Sequence, residues 1–308
     1  MSAKVSTEWL SGCSGCHVAI VDLHEKLVNL AEEVEFVRIP VLMDEKGYPK
    51  ADIGIVEGAI RSVHDREALI KLRESVKTLV AFGSCAVFGG PSGIGWLYDR
   101  ESVLKAVYDE GASNAGGERP DADVPKLEDS VIPIDEVVPV DYYLPGCPPS
   151  PYFIASALRL MLDGPQGKQT PLVSGTVCGK CQRKMRKAPG TPLQKGAITA
   201  PDAERCFLSQ GVICMGSVTL DRCLAPCPKS GVVCTGCNGP SLQVIKEPHL
   251  DLRTEIAGKM QRLCGIPAEE VRAYMERDAK TYYSYAMASP VMFKKPTVEL
   301  REWAGDKS

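Results

Sequence analysis

Leu79-Val80-Ala81-Phe82 is an apolar run that stops at Gly83 and is followed at once by Ser84 and Cys85. Four consecutive apolar residues closed by a breaker fit a strand buried on both faces of a parallel sheet. The same grammar repeats outward from this stretch. Val5–Leu10, Val34–Ile39, Ile53–Val56 and Val138–Leu144 are further apolar runs. Between them, Val18–Leu30 and Arg66–Leu72 space their apolar residues helically, and Asp65 is placed to cap the second. A helix over Ser150–Leu162 closes this half. Strand and helix in alternation predict βαβ units, and so an α/β fold with a doubly wound parallel sheet.

The grammar changes at Asp163–Thr170, whose sequence DGPQGKQT is polar and rich in breakers. The domain boundary belongs there, giving an N-terminal domain of residues 1–163 and a C-terminal one of 164–308. From there to Pro240, glycine, proline and eight cysteines replace periodicity. So irregular a segment buries little apolar area and needs metal or disulfide support. A helix is expected over Ala268–Lys280, an extended tail from Ser289, and a mobile loop over Gly111–Pro125.

Of the 308 residues, 44% are hydrophobic, enough for a sizeable core, and the formal charge is −3. That balance points neither to nucleic acid nor to an anionic membrane surface. No apolar run approaches the roughly 20 residues of a membrane span. Met1–Leu10 lacks an export signal and a twin-arginine pair. The expectation is a cytoplasmic protein that engages neither membrane nor nucleic acid.

In a reducing compartment the 13 cysteines, an odd number, are an anomaly. Clustered cytosolic thiols serve metal binding or redox chemistry more often than disulfides. Cys13 and Cys16 follow the first strand, Cys85 follows Leu79–Phe82, and Cys147 follows Val138–Leu144 within Pro145-Gly146-Cys147-Pro148-Pro149. Parallel strands present all their C-terminal ends at one edge, where ligands bind. The four thiols are therefore expected to converge. Four thiolates suit zinc or a 4Fe–4S cluster. Gly12, Gly15, Gly83 and Gly146 favour the cluster, because they let backbone N–H groups approach sulfur. A thioredoxin-like Cys-x-x-Cys needs no Cys85 or Cys147, and zinc ribbons are local in sequence.

Cys13-Ser14-Gly15-Cys16, Glu57-Gly58, Gly83-Ser84-Cys85 and Leu144-Pro145-Gly146-Cys147-Pro148-Pro149 together resemble the small subunit of nickel–iron hydrogenases. In particular they resemble the methyl-viologen-reducing type of methanogenic archaea, which does not reduce the deazaflavin coenzyme. The resemblance runs from about Lys4 to Asn238. It implies a flavodoxin-like first domain whose Cys13, Cys16, Cys85 and Cys147 hold a proximal 4Fe–4S cluster. It implies a distal cluster on Cys178, Cys181, Cys206 and Cys214, with cysteine in place of the histidine many members carry. It implies a medial cluster on Cys223, Cys227, Cys234 and Cys237. Many members have proline at the place of Cys227 and a 3Fe–4S cluster, so a fourth cysteine implies 4Fe–4S and a lower potential.

The implied function is oxidoreductase electron transport in a heteromeric complex of methanogenesis. Hydrogen is split on a nickel–iron large subunit. Electrons leave through three 4Fe–4S clusters to an iron–sulfur electron-accepting subunit linked to heterodisulfide reductase. This chain holds no catalytic residue of its own. The respiratory complex I proteins that carry its last cluster share the first-half fold, but have adjacent cysteines and no cysteine-rich second half. From a different class, a zinc-stabilised assembly scaffold would be colourless, whereas an iron–sulfur protein is brown and bleaches with dithionite.

Other residues weigh less. Cys264 is left over and reads as a small buried hydrophobe. Lys180, Arg183, Lys184, Arg186 and Lys187 form either a docking patch for an acidic acceptor or a solvated face. His17 follows Cys16 and belongs either beside the proximal cluster or to the scaffold. Glu57, on the turn after Ile53–Val56, is expected at the same sheet edge, at the interface or in a proton relay. Gly93-x-Gly95 is a lone pair, and no P-loop or GxGxxG turn is present, so no flavin or nucleotide is expected in this chain.

Overall fold

The computed structural model describes residues 2–114, 118–163, 175–247 and 250–289. They fall into two compact units, Met1–Thr170 with Tyr285–Ser289, and Pro171–Ser284 with Pro290–Ser308. Tyr285–Ser289 thus joins the first unit, where the sequence pattern assigns it to the second. In that unit Ala288 packs close to Gly89 and Gly93, against which a larger side chain would collide. The stretch expected to form the boundary, and the tail beyond Ser289, lie outside the described residues.

The first unit is built on β1 (Ala3–Trp9), β2 (Val34–Arg38), β3 (Ala51–Glu57), β5 (Val76–Phe82) and β7 (Tyr142–Leu144), in the order β2-β1-β3-β5-β7. Every pairing is parallel. Numbered among themselves, these strands run 2-1-3-4-5, the flavodoxin-like doubly wound order, whose switch point lies between the first and third strands. Val56, Leu79 and Ala81 are fully buried in the inner strands, as covering both faces requires. A two-stranded antiparallel sheet, β4 (Ile60–Ser62) with β6 (Leu127–Ile132), stands apart and has no counterpart in the sequence pattern.

Several expected elements change in detail. Val18–Leu30 is two helices, α1 (Gly15–Val21) and α2 (Glu25–Glu33). Leu23 N and His24 N bond Ile20 O and Val21 O, tightening the turn so that His24 takes φ 51° and the chain restarts. The next helix is longer than Arg66–Leu72: α3 (Val63–Ser75) is capped by Ser62, and Asp65 closes a reciprocal capping box rather than acting as the cap. The last strand is shorter than Val138–Leu144 because Pro139 has no N–H to give the ladder. Two short helices follow β5, α4 (Ser84–Phe88) and α5 (Arg100–Leu104), and α6 (Pro151–Asp163) ends the unit's main run.

The second unit has short helices α7 (Pro226–Lys229) and α8 (Leu242–Lys246) among irregular chain, then α9 (Leu252–Cys264) and α10 (Ala268–Arg277). Its core is more substantial than the sequence suggests. Ile256, Met260, Val271 and Met275 from the two longer helices are fully buried with Phe207, Leu208 and Met215 from the loops. Helix α9 is an addition to the expected elements, although both its ends are signposted. Asp251 accepts from Thr254 N at 2.9 Å, and Gly265 closes the helix at φ 78°.

Candidate metal centres

The C-terminal edge of the parallel sheet brings the first four cysteines together. Register places Trp9, the last residue of β1, beside Glu57, the last of β3. Beyond them the two turns are zipped: Leu10 N bonds Glu57 O at 2.9 Å and Ala59 N bonds Ser11 O at 2.8 Å. Gly58 is required here. It adopts φ 89°, and a Cβ on it would lie 2.7 Å from the Leu10 carbonyl carbon. Ser11 Oγ donates to Asp65 Oδ2 at 2.9 Å, tying the loop that leads to Cys13 onto the α3 capping box.

Cys85 comes from the opening of α4 and Cys147 from the turn after β7. The two turns are joined by Gly83 N to Leu144 O, and by Ser84 N to Gly146 O, each 2.8 Å. The Cys147–Pro148 peptide is cis. Cys16 lies within electrostatic reach of Cys85 and Cys147, and Cys85 within reach of Cys13. The space between them is kept by glycine. A Cβ on Gly83 would strike Cys16 Sγ, and one on Gly90 would lie 2.6 Å from Cys85 Sγ.

Glu57 is buried beside Cys16, to whose thiol it is hydrogen-bonded. Burial first, and this carboxylate second, push the Cys16 thiol far above its ordinary pKa. His17 N donates to Glu57 Oε2 at 3.1 Å, while His17 Nε2 and Thr7 Oγ1 are 2.8 Å apart. His17 is thus buried scaffold beside the cysteines. The Thr7 contact is invisible in sequence, because only the folded sheet brings β1 against α1. Next to this site Arg38 Nη1 lies 2.9 Å from Glu8 Oε2, and Tyr48 donates its hydroxyl to the same carboxylate oxygen at 2.8 Å.

In the second unit, Cys178, Cys181, Cys206 and Cys214 interact electrostatically with one another. Desolvation pushes the Cys178 thiol up to about 12 and the Cys214 thiol up to about 11. Cys223 lies within electrostatic reach of Cys227, and Cys234 within reach of Cys214 first and Cys237 second. Asn238, next to Cys237, hydrogen-bonds Cys223 and so links the two pairs. The groups also adjoin each other, since Cys234 N donates to Cys214 Sγ at 3.3 Å. Cys264 is 2% exposed and its thiol donates to Leu208 O at 3.2 Å, while it also lies within electrostatic reach of Cys206.

The basic run divides. Lys180, Lys184, Arg186 and Lys187 are exposed, whereas Arg183 turns inward onto backbone carbonyls and the Phe207 ring. Among the described residues, no helix is long and apolar enough to cross a membrane.

The family model described as NADH ubiquinone oxidoreductase, 20 Kd subunit, matches residues 13–161, a span that opens at Cys13. The G subunit of the vhu F420-non-reducing hydrogenase of Methanocaldococcus jannaschii is 40% identical over 240 residues, 78% of this chain and 82% of that protein. The G subunit of the F420-non-reducing hydrogenase of Methanothermobacter marburgensis is 34% identical over 305 residues, 95% of this chain and 97% of that protein. Among solved structures, a chain of an NAD+-reducing [NiFe]-hydrogenase in its H2-reduced state is 36% identical with a TM-score of 0.52. The match covers 56% of this chain and 97% of that one.

Proposed function

Since the chain belongs to the family of hydrogenase small subunits, with the G subunits of F420-non-reducing hydrogenases among its relatives, we propose that it conducts electrons through three 4Fe–4S clusters. Cys13, Cys16, Cys85 and Cys147 hold the proximal one. Cys223, Cys227, Cys234 and Cys237 hold the medial one, and Cys178, Cys181, Cys206 and Cys214 the distal one. The observation that carries this reading is the glycine-lined gathering of Cys16, Cys85 and Cys147 at the switch-point edge of the sheet.

The donor set suits clusters. Each set supplies four cysteines, the donor number of a 4Fe–4S cluster, and the glycines beside Cys16 and Cys85 leave open space next to those thiols. A bound cationic metal would offset the desolvation that keeps the Cys178 and Cys214 thiols protonated. Bound there, each cluster supplies a one-electron redox couple.

The chain's own residues do the rest. Gly83 and Gly90 leave room beside the thiols, and Cys234 N–H aims at Cys214 sulfur, a contact that raises potential. Thr7, His17 and Glu57 fix the wall behind Cys16. Hydrogen is oxidised to two protons and two electrons on a [NiFe] large subunit facing the Cys13–Cys147 edge. The electrons pass to an iron–sulfur subunit that links to heterodisulfide reductase, in the cytoplasm of a methanogen.

Anaerobic purification of the complex followed by iron and zinc analysis tests the reading. About twelve irons per small subunit are expected, at four per cluster. Stoichiometric zinc, or iron for a single cluster, would overturn it.

A further inference from the structure

Arg183 lies two residues beyond Cys181 and does not join the exposed basic residues around it. Its Nε donates to Pro228 O at 3.0 Å. Its Nη1 donates to Asp202 O at 2.9 Å and to Arg205 O at 3.1 Å. The guanidinium carbon sits 4.1 Å from the centre of the Phe207 ring. Pro228 follows Cys227, while Arg205 and Phe207 flank Cys206 on either side. One guanidinium therefore grips the chain beside Cys181, Cys206 and Cys227, cysteines drawn from both C-terminal sets.

Among the described residues, its three hydrogen-bond acceptors are all backbone carbonyls, and its charge also acts on the nearby Asp202 carboxylate. That carboxylate accepts from Glu204 N and Arg205 N, and stands 3.6 Å from Arg205 Nε. Each electron added to a cluster adds negative charge, so a fixed cation nearby makes reduction easier. Lysine could supply the charge but not the planar fork that spans two stretches of chain and stacks on a ring.

We infer that Arg183 is a positioning residue shared by the medial and distal clusters, holding their ligand loops together and raising both potentials with one charge. This rests on the cluster assignment above. The test uses the whole hydrogenase complex, purified anaerobically, with wild-type chain, Arg183→Gln and Arg183→Lys. Iron content and EPR-monitored redox titrations are measured for each. Arg183→Gln should lower the midpoint potentials of both C-terminal clusters, and Arg183→Lys should restore them toward wild type. Full iron with both potentials unmoved in Arg183→Gln would overturn the inference, as would a shift in only one cluster. If Arg183→Gln loses iron, Arg183→Lys decides alone: retained iron with near-wild-type potentials supports the shared charge, and loss of about eight irons, at four per cluster, reduces the residue to a fold determinant. Failure of the underlying assignment would look different, because the wild-type complex would itself lack those two clusters.

Discussion

His17 Nδ1 stands 2.8 Å from Glu57 Oε1, and both side chains are 3% exposed. The two atoms are close without the alignment of a good hydrogen bond. The other carboxylate oxygen accepts from His17 N, and the far side of the imidazole meets Thr7. Glu57 is therefore held by residues of its own chain right against Cys16.

That arrangement favours a holding role for Glu57 over proton relay. Glu57→Gln keeps the shape and an acceptor for His17 N. Iron content should be unchanged, and hydrogen oxidation by the complex should fall less than about tenfold, which is about 1.4 kcal/mol of barrier. A loss of several orders of magnitude with full iron would establish the relay instead. Glu57→Ala strands the His17 donors in a buried site, costs about 2–4 kcal/mol, and should release iron from the first unit.

Cys227 is the second test. It sits in α7 between Pro226 and Pro228, and Ser230 N and Val232 N both bond its carbonyl. A proline at 227 keeps that carbonyl while removing the thiol. Cys227→Pro should give an EPR signal of a 3Fe–4S centre in the oxidised complex and a higher medial potential. An unchanged spectrum would remove Cys227 from the ligand set.

Cys264 tests the partition from the other side. Its thiol ends α9 in the apolar core and donates to the Leu208 carbonyl. Cys264→Ala should leave iron content intact and cost about 1 kcal/mol of stability, read from thermal unfolding. Loss of about four irons, one cluster, would mean that a ligand has been misassigned.

The exposed basic residues make a kinetic prediction. Lys184 and Lys187 project into solvent beside the distal cysteines, so their field is available to a partner. Charge reversal of both should slow reduction of an acidic iron–sulfur acceptor by about tenfold at low salt, with the difference shrinking as salt rises. Reduction of a small viologen dye should be unaffected. Equal rates with the acidic acceptor would make this a merely solvated face.

The composition of the sites was legible in the sequence because cysteine spacing and breaker residues are local signals. Gly83-Ser84-Cys85 and Gly146-Cys147 announce strand ends carrying thiols, and the parallel sheet gathers them as alternation predicts. Helix α9 was legible too, through Asp251, Thr254 and Gly265, but was overshadowed by the cysteine-rich chain before it. The β4–β6 pair was not legible. Its ladder sets Ser62 opposite Leu127 and Ile60 opposite Ile132, and nothing local reports a pairing between segments so remote.

What the sequence alone determined is the chemistry: which thiols exist, which turns carry them, and that a doubly wound sheet would present those turns at one edge. Tertiary structure alone decided the side-chain partnerships. Asp65 became half of a capping box that also holds Ser11, because β1 and β3 run parallel side by side and the turns after them bond each other. Glu57 met His17, and His17 met Thr7, because strand register fixes which residues share an edge. Arg183 left its basic neighbours to bridge three loops. Such choices depend on distances between residues remote in sequence, set by parallel pairing and core packing, and a chain's local pattern carries no record of them.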